Sequence, residues 1–213
     1  MTETDPGDRD RRVITIVDYG MGNLGSIRNM LRRVGASATI TGDPSEIAAA
    51  SKLLLPGVGH FDAAMQQIAD RGLREVLDRK ATVERVPTLG ICLGMQLLTR
   101  GSEEGRLPGL GWVDADVRRF PADASLKVPH MGWNLVTPTR PSALTDGLTE
   151  DARFYFVHSY YVQADRRADA VLTASYGLTF DAAIEAGNIY GAQFHPEKSH
   201  RFGMQLLANF AAL

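Results

Sequence analysis

The feature that most constrains this 213-residue chain is the segment 90–94, Gly-Ile-Cys-Leu-Gly, in which its single cysteine, Cys92, lies between two glycines. Residues 86–89 predict a short buried strand before the cysteine, and residues 95–99 predict a helix after it. A sharp strand-to-helix turn crowds the backbone on both sides of its central residue, so glycines at positions 90 and 94 suit it. The pattern therefore predicts a nucleophile elbow that holds the Cys92 sulfur at a helix N-terminus, where free amides favour a thiolate.

A second segment, Phe-His-Pro-Glu at 194–197, provides a base and a carboxylate. Residues two apart in an extended chain point to the same face, so we expect His195 and Glu197 to lie side by side, with Pro196 stiffening the strand between them. An imidazole can take the thiol proton, and a carboxylate can hold its tautomer. The predicted catalytic residues are Cys92, His195 and Glu197. Taken alone, each feature also fits a plainer alternative, namely a small buried cysteine and a solvated His-Glu pair at a strand end.

A third segment, Leu-Leu-Leu-Pro-Gly-Val-Gly at 53–59, predicts an apolar strand that ends in a glycine-containing loop. In elbow folds one oxyanion donor is the amide of the residue after the nucleophile, which here is Leu93. The second donor comes from a neighbouring strand-end loop, for which Gly57 and Val58 are the candidates. The alternative is an ordinary turn that leads into the next helix.

Strand and helix patterns alternate through the first half of the chain, while the second half is rich in strand patterns. Apolar strands are predicted at 13–17, 38–40 and 53–55, and helical spacing of apolar residues at 27–34 and 61–77. Strand-like segments follow at 112–118, 135–137, 154–161, 170–176, 182–185 and 189–194, the last leading to His195, before a final amphipathic helix. We therefore expect an α/β fold with a largely parallel central sheet flanked by helices and with antiparallel β additions in the second half.

Composition limits the domain organisation and the classes of partner. Residues 1–12 are dense in charge and predict a mobile tail, while 13–213 predict one domain. A net charge of −2 gives no reason to expect nucleic acid or an anionic membrane, and one cysteine excludes an internal disulfide. The five histidines lack metal-ligand spacing, so no metal or cofactor is expected. No apolar run approaches the roughly 18 residues of a membrane span and no signal peptide is recognisable, so a cytoplasmic location is expected.

Six motifs resemble those of a known family. They are Val-Asp-Tyr-Gly-Met-Gly-Asn at 17–23, Leu-Pro-Gly-Val-Gly at 55–59, Gly-Ile-Cys-Leu-Gly-Met-Gln at 90–96, Pro-His-Met-Gly-Trp-Asn at 129–134, Phe-Val-His-Ser-Tyr-Tyr at 156–161 and Gln-Phe-His-Pro-Glu-Lys-Ser at 193–199. From about residue 13 to the C-terminus, the chain resembles the class I, triad-type glutamine amidotransferases. More narrowly, the motifs at 18–23 and 129–134 are similar to those of the glutaminase subunits of imidazole glycerol phosphate synthase. Residues 1–12 have no counterpart in compact members of that family.

The resemblance implies a reaction, a substrate and a partner. Such a subunit hydrolyses L-glutamine to glutamate and ammonia and passes the ammonia to a synthase (cyclase) subunit with a (β/α)8 barrel, in a heterodimer. That partner makes imidazole glycerol phosphate and AICAR in histidine biosynthesis. For substrate binding, Gln96 lies one helical turn beyond the nucleophile and on the same face. The class adds the backbone near Ser159 and Tyr160. Without the resemblance, Gln96 would be interpreted as an ordinary residue on a helix surface.

The resemblance also implies which residues face the partner subunit. They are Asn23, Pro129, His130, Met131, Trp133 and Lys198. His130 and Trp133 could instead be core or turn residues. The segment 18–23 could be a tight strand-helix connection, and it lacks the third glycine of a dinucleotide site and the lysine of a P-loop.

Three alternative functions remain open at this point. The first is a glutaminase subunit of another pathway, such as that of pyridoxal phosphate synthase, which should lack the segments 18–23 and 129–134. The second is a free-standing cysteine hydrolase that needs no partner. The third is a catalytically silent regulatory module that binds a partner or glutamine. The presence of Cys92, His195 and Glu197 together argues against a silent site.

Overall fold

The computed structural model describes residues 13–121 and 126–213, so the predicted mobile tail at 1–12 lies outside the described residues. The strands are β1 Val13–Val17, β2 Ser37–Thr41, β3 Leu53–Gly57, β4 Thr88–Cys92, β5 Ala115–Arg119, β6 His130–Leu135, β7 Thr137–Pro138, β8 Arg153–His158, β9 Tyr160–Ala164, β10 Ala170–Tyr176, β11 Leu178–Ala186 and β12 Ile189–Ala192. The α-helices are α1 Leu24–Arg33, α2 Pro44–Ala48, α3 Phe61–Asp70, α4 Arg74–Asp78, α5 Leu93–Leu97 and α6 His200–Ala212. Shorter helical turns are the π turn Arg79–Val83 and the 3-10 turns Ala143–Thr145, Arg167–Asp169 and Pro196–Lys198.

The central sheet has a parallel half and an antiparallel half. Strands β2, β1, β3, β4 and β12 lie in that order and pair in parallel. Strands β11, β10 and β7 continue the sheet in antiparallel pairs, and β9 joins β11 to β5. Strands β6 and β8 form a separate antiparallel pair. The predicted α/β fold with antiparallel additions is confirmed.

Helices cover both faces of the sheet because its central strands are apolar on both sides. All five residues of β3 and all five of β4 are buried. Leu54 packs in the cluster that contains the apolar faces of α1 and α6, whereas Leu53 and Leu55 pack in the cluster that contains that of α3. Successive side chains of a strand point to opposite faces, so β3 and β4 lie in the middle layer between two layers of helices.

Two boundaries near the predicted site differ from the expectation. The strand expected at 86–89 is β4, which begins at Thr88 and continues through Cys92, so the nucleophile is its last residue. The strand expected to reach residue 194 ends at Ala192. Proline fits the first position of a helical turn, and Pro196 begins a 3-10 turn there instead of stiffening a strand.

The β-rich region around residue 135 also differs from the expectation. The strand predicted at 135–137 is replaced by β6, which is longer and earlier, and by the two-residue β7. Outward residues of β6 are large and apolar while inward ones are small or polar, which hides the usual strand alternation. Within the part of the chain that is described, no helix has the length and apolar character needed to cross a membrane.

Candidate active site

Cys92 lies at the junction of β4 and α5 in a strained backbone conformation. Its φ is 54° and its ψ is −111°, a region that non-glycine residues rarely adopt. The flanking glycines make this turn possible. A Cβ on Gly90 would lie 2.6 Å from the carbonyl oxygen of Gly94, and a Cβ on Gly94 would overlap the carbonyl oxygen of Leu55. The backbone therefore has the geometry of a nucleophile elbow.

His195 is buried and is held by both its side chain and its backbone. Its Nδ1 lies 2.9 Å from Oε1 of Glu197, and its side chain is 3% exposed. Its backbone N–H donates to the carbonyl of Tyr155 at 2.9 Å. The Ser199 hydroxyl donates to the His195 carbonyl at 2.6 Å and accepts from the Tyr155 N–H at 3.0 Å. Strand β8 therefore fixes the position of the imidazole.

The geometry that pairs His195 with Glu197 is not the one expected. The sequence predicts an extended strand with both side chains on one face, but Glu197 belongs to the 3-10 turn Pro196–Lys198. The turn folds the carboxylate back onto the imidazole, so the two side chains meet although the strand has ended. Because Nδ1 faces a carboxylate, it has the proton, and Nε2 is the free basic atom.

The charge state of His195 is set by opposing effects. Burial lowers the pKa of His195, but hydrogen bonding to Cys92 and Glu197 raises this pKa by more than burial lowers it. The net pKa is about 9. Its Nε2 is buried and has no partner with full hydrogen-bond geometry among the described residues. The site therefore stabilises an imidazolium, which is the state that His195 reaches after it takes a proton from the thiol.

Cys92 and His195 open into one cavity of about 320 Å³. The other residues that line it are Val58, Gly59, Leu93, Gln96, Glu104, Pro129, Val157, His158, Ser159 and Tyr160. The cavity thus brings together two of the three predicted catalytic residues with the predicted substrate residues Gln96, Ser159 and Tyr160. Gln96 is 5% exposed, so it is not an ordinary surface residue of a helix.

Two of the three predicted oxyanion residues, Val58 and Leu93, line the cavity, whereas Gly57 does not. Gly57 is in parallel register with Cys92. A Cβ on Gly57 would collide with the hydroxyl of Tyr19 and would lie 3.1 Å from the amide nitrogen of Gly94. The Tyr19 hydroxyl donates to the Pro56 carbonyl at 2.5 Å, and burial raises the pKa of Tyr19. Only a glycine fits between the elbow and this tyrosine.

The sequence interpretation missed three residues at this site. Glu104 lines the cavity, and its Oε2 accepts the Phe61 N–H at 2.8 Å. Gln193 is fully buried, and its Nε2 lies 3.8 Å from the Cys92 sulfur. The sequence predicts Tyr19 only as part of the connection at 18–23. Glu104 has no motif of its own, whereas Gln193 lies two residues before His195, which was a usable signal.

The predicted partner-facing residue His130 is in the interior of the subunit. Its side chain is 3% exposed, it stacks on Tyr176 at a ring distance of 4.0 Å, and its Nδ1 lies 2.9 Å from Nε2 of His158. Strand alternation turns it inward while its neighbours point outward. Burial lowers the pKa of His130 to about 4 and that of His158 to about 3, so both are neutral. The His130 side chain is therefore packed inside the subunit and is not on its exposed surface.

The other predicted interface residues are at the surface. Asn23, Pro129 and Lys198 are exposed. Met131, Trp133 and Leu135, alternate residues of β6, are 62%, 46% and 57% exposed and form an apolar row on the outer face of the β6–β8 pair. Large apolar side chains on one strand face are typical of an interaction surface.

The fold and the elbow define a class that the comparisons also find. The Glutamine amidotransferase class-I family matches residues 15–212, so the chain belongs to this family. Among solved structures, a candidate GMP synthase subunit from Thermoplasma acidophilum superimposes with a TM-score of 0.71 at 21% identity, covering 94% of this chain and 92% of that one. That likeness concerns the fold.

Curated relatives place the chain more narrowly. Imidazole glycerol phosphate synthase subunit HisH 2 of Methanococcus maripaludis is 52% identical over 93% of this chain and 98% of the relative. Subunit HisH 2 of Pseudomonas aeruginosa is 50% identical over 94% of this chain and 100% of the relative. The chain belongs to the family of HisH subunits of imidazole glycerol phosphate synthase. The resemblance stated from the motifs is confirmed.

Proposed function

We propose that this chain hydrolyses the side-chain amide of L-glutamine at Cys92 and supplies the ammonia to the synthase subunit that makes imidazole glycerol phosphate and AICAR in histidine biosynthesis. The observation that supports this most strongly is the cavity shared by Cys92, in its strained turn, and His195, which is paired with Glu197. Family membership supports the pathway, and the residues around the cavity support the chemistry. We place the reaction in the cytoplasm.

The reaction begins with transfer of the Cys92 proton to Nε2 of His195, while Glu197 holds Nδ1. The thiolate attacks the amide carbon, and the C=O electrons move onto the oxygen. His195 then protonates the leaving nitrogen, ammonia departs, and a γ-glutamyl thioester remains on Cys92. Water, deprotonated by His195, attacks the thioester, and glutamate leaves as the thiolate re-forms.

The oxyanion of the tetrahedral intermediate needs donors that are already in place. The Leu93 amide lies at the start of α5, and both Leu93 and Val58, of the Gly57-Val58 loop, line the cavity. One such donor is typically worth about 3 kcal/mol of the barrier. The Tyr19 hydroxyl binds the Pro56 carbonyl and so restrains the peptide between Pro56 and Gly57, whereas the next peptide, between Gly57 and Val58, is not held by that bond. Rotation of that peptide can switch the second donor in or out.

The amino-acid end of glutamine is recognised by residues that line the cavity. Glu104 is the acidic residue among those lining it and can pair with the α-ammonium group of the substrate. The backbone near Ser159 and Tyr160 and the side chain of Gln96 line the remaining wall.

The partner is a cyclase subunit with a (β/α)8 barrel, bound as a heterodimer. The exposed row of Met131, Trp133 and Leu135 gives it an apolar docking face, and Asn23, Pro129 and Lys198 lie at the surface with it. Ammonia released into solution would be protonated and diluted. Direct docking keeps it neutral and close to the next active site.

The test is the Cys92→Ala variant in complex with its synthase subunit. Glutamine-driven synthesis should fall to background because the nucleophile is absent, whereas synthesis from added ammonium salt should remain at the wild-type rate. Loss of both activities would mean that the chain acts in the partner's own chemistry and not as its ammonia source. Rapid glutamine hydrolysis without any partner would instead favour the free-standing hydrolase.

A further inference from the structure

Gln193 is a buried side-chain amide beside Cys92 and Gln96, two of the residues that line the catalytic cavity. It follows β12 directly, its residue is fully buried, and its Nε2 lies 3.8 Å from the Cys92 sulfur. That distance is within the range of an N–H···S hydrogen bond. Its Oε1 lies 3.2 Å from Nε2 of Gln96. The mechanism described above does not use this side chain.

A chain of partners fixes which end of the Gln193 amide faces the sulfur. The Tyr160 carbonyl can only accept, and it lies 2.7 Å from Nδ1 of His158 and 3.1 Å from Nε2 of Gln96. Gln96 must therefore present its NH₂ group there, and the second N–H of that group donates to Oε1 of Gln193. Since Oε1 is the acceptor, the NH₂ group of Gln193 points at Cys92.

The other neighbours of the Cys92 sulfur differ from Gln193 in being acceptors or titratable groups. The Val157 carbonyl, 4.0 Å from the sulfur, can only accept, so it favours the protonated thiol. The titratable groups around the sulfur are His195 with Glu197 behind it, the buried Tyr19, and His158 and Glu104 in the cavity wall. Gln193 is an uncharged donor, so its effect does not disappear with the charge of His195.

We propose that Gln193 is a further catalytic residue, which donates a hydrogen bond from its side-chain amide to the Cys92 thiolate and holds the sulfur for attack. This inference deepens the proposed function and rests on it. Hydrogen bonding to the charged form of a group favours that form. The hydrogen bond therefore stabilises the thiolate before it attacks the amide, and it makes the sulfur a better leaving group when the thioester is hydrolysed.

The test uses the fact that Cys92 is the single cysteine of the chain, so that alkylation of this chain, followed by its intact mass after the complex is separated, reports on one site. The Gln193→Met variant keeps the length of the side chain and removes the donor. In the complex, the pH of half-maximal iodoacetamide alkylation should rise by about one unit, and kcat for glutamine should fall roughly tenfold with little change in KM. Gln205→Met, on the exposed face of α6, is the matched control and should leave both unchanged.

A second variant covers the case in which methionine disrupts folding. Gln193→Glu can still accept from Gln96 but has no N–H for the sulfur, and its negative charge should shift the alkylation midpoint further upward than in Gln193→Met. Circular dichroism identifies which variant is folded. An unchanged midpoint in a folded variant would overturn the proposal. The alkylation profile does not depend on turnover, so an unchanged midpoint counts against the role of Gln193 alone. Absence of glutamine hydrolysis by the wild-type complex would instead overturn the proposed function.

Discussion

The two sides of the active site are built by different physical means. The nucleophile side, β3, β4 and α5, positions Cys92 through backbone strain and close glycine packing, within a stretch of fewer than fifty residues. The base side, β8, β12 and residues 193–199, positions His195 through hydrogen bonds, one to Tyr155, which is distant along the chain, and one to the nearby Ser199, which also binds Tyr155. Substitutions on the nucleophile side should therefore act through steric clashes. Substitutions on the base side should act through the loss of hydrogen bonds and of charge interactions.

The largest expected effect comes from the base itself. His195→Gln should reduce glutamine hydrolysis in the complex by roughly 10³-fold, because general acid-base catalysis typically contributes 10²–10⁴-fold. Glu197→Gln should cost less, roughly 10²-fold, since it removes only the group that orients and charges the imidazole. Steady-state glutaminase assays measure both.

The control for these two variants is His60→Asn, at an exposed helix start where asparagine can also cap. It should leave the rate unchanged. If Glu197→Gln were as fast as the wild type, the carboxylate would have no part in setting the charge of His195.

The nucleophile side is tested by its glycines. A methyl group at Gly94 would overlap the Leu55 carbonyl oxygen, so Gly94→Ala should lower the free energy of unfolding by about 3 kcal/mol. Gly25→Ala, in α1 where no atom lies within 4 Å of the added Cβ, should raise it by roughly 0.5–1 kcal/mol. Urea unfolding of the free subunit measures both, and similar values for the two variants would contradict the packing account.

The same contrast explains what could be predicted from the sequence. The elbow was predictable because Gly90 and Gly94 are local requirements of one turn. The inward orientation of His130 and the amide chain through Gln96 and Gln193 were not, because they depend on partners that only the tertiary fold brings together. The cavity position of Glu104 was missed for the same reason, since nothing near it in sequence marks it.

Strand β8, which belongs to the base side of the active site, also pairs with β6, and the outer face of this β6–β8 pair is at the surface. Trp133→Ala should weaken binding of the partner subunit by roughly thirtyfold, the size expected of a central aromatic anchor worth about 2 kcal/mol. Stability of the free subunit should change little because the side chain is already 46% exposed. The control is Val83→Ala, at an apolar residue that is 73% exposed in the π turn, and binding can be measured by titration calorimetry. Equal effects of the two substitutions on binding would show that Trp133 does not contact the partner subunit.

The smallest expected effect is on the pH dependence of stability. The pKa values of His130 and His158 are lowered by burial from 6.5 to about 4 and about 3, so the unfolded chain binds more protons and stability is lost as the pH falls below about 6.5. His195 acts oppositely: its pKa is raised to about 9, so its contribution is complete below pH 6.5 and is lost as the pH rises towards 9.

A variant at the histidine pair isolates the acid limb of this profile. His130→Gln can still bond to His158 but does not titrate in this range, so its urea midpoint should fall less steeply between pH 6.5 and 4 than that of the wild type. The alkaline limb should be unchanged because it belongs to His195. Parallel acid limbs for both proteins would show that the buried pair does not control acid stability.

The central claim, that Cys92 is the nucleophile activated across the shared cavity by His195, is tested most directly by covalent labelling. The complex is incubated with a glutamine analogue that has a diazoketone in place of the amide, and the label is located by peptide mass spectrometry. The account predicts one label per chain, on Cys92, with labelling slowed at least a hundredfold in His195→Gln. Labelling on another residue, or an equal rate of Cys92 labelling without the imidazole, would contradict it.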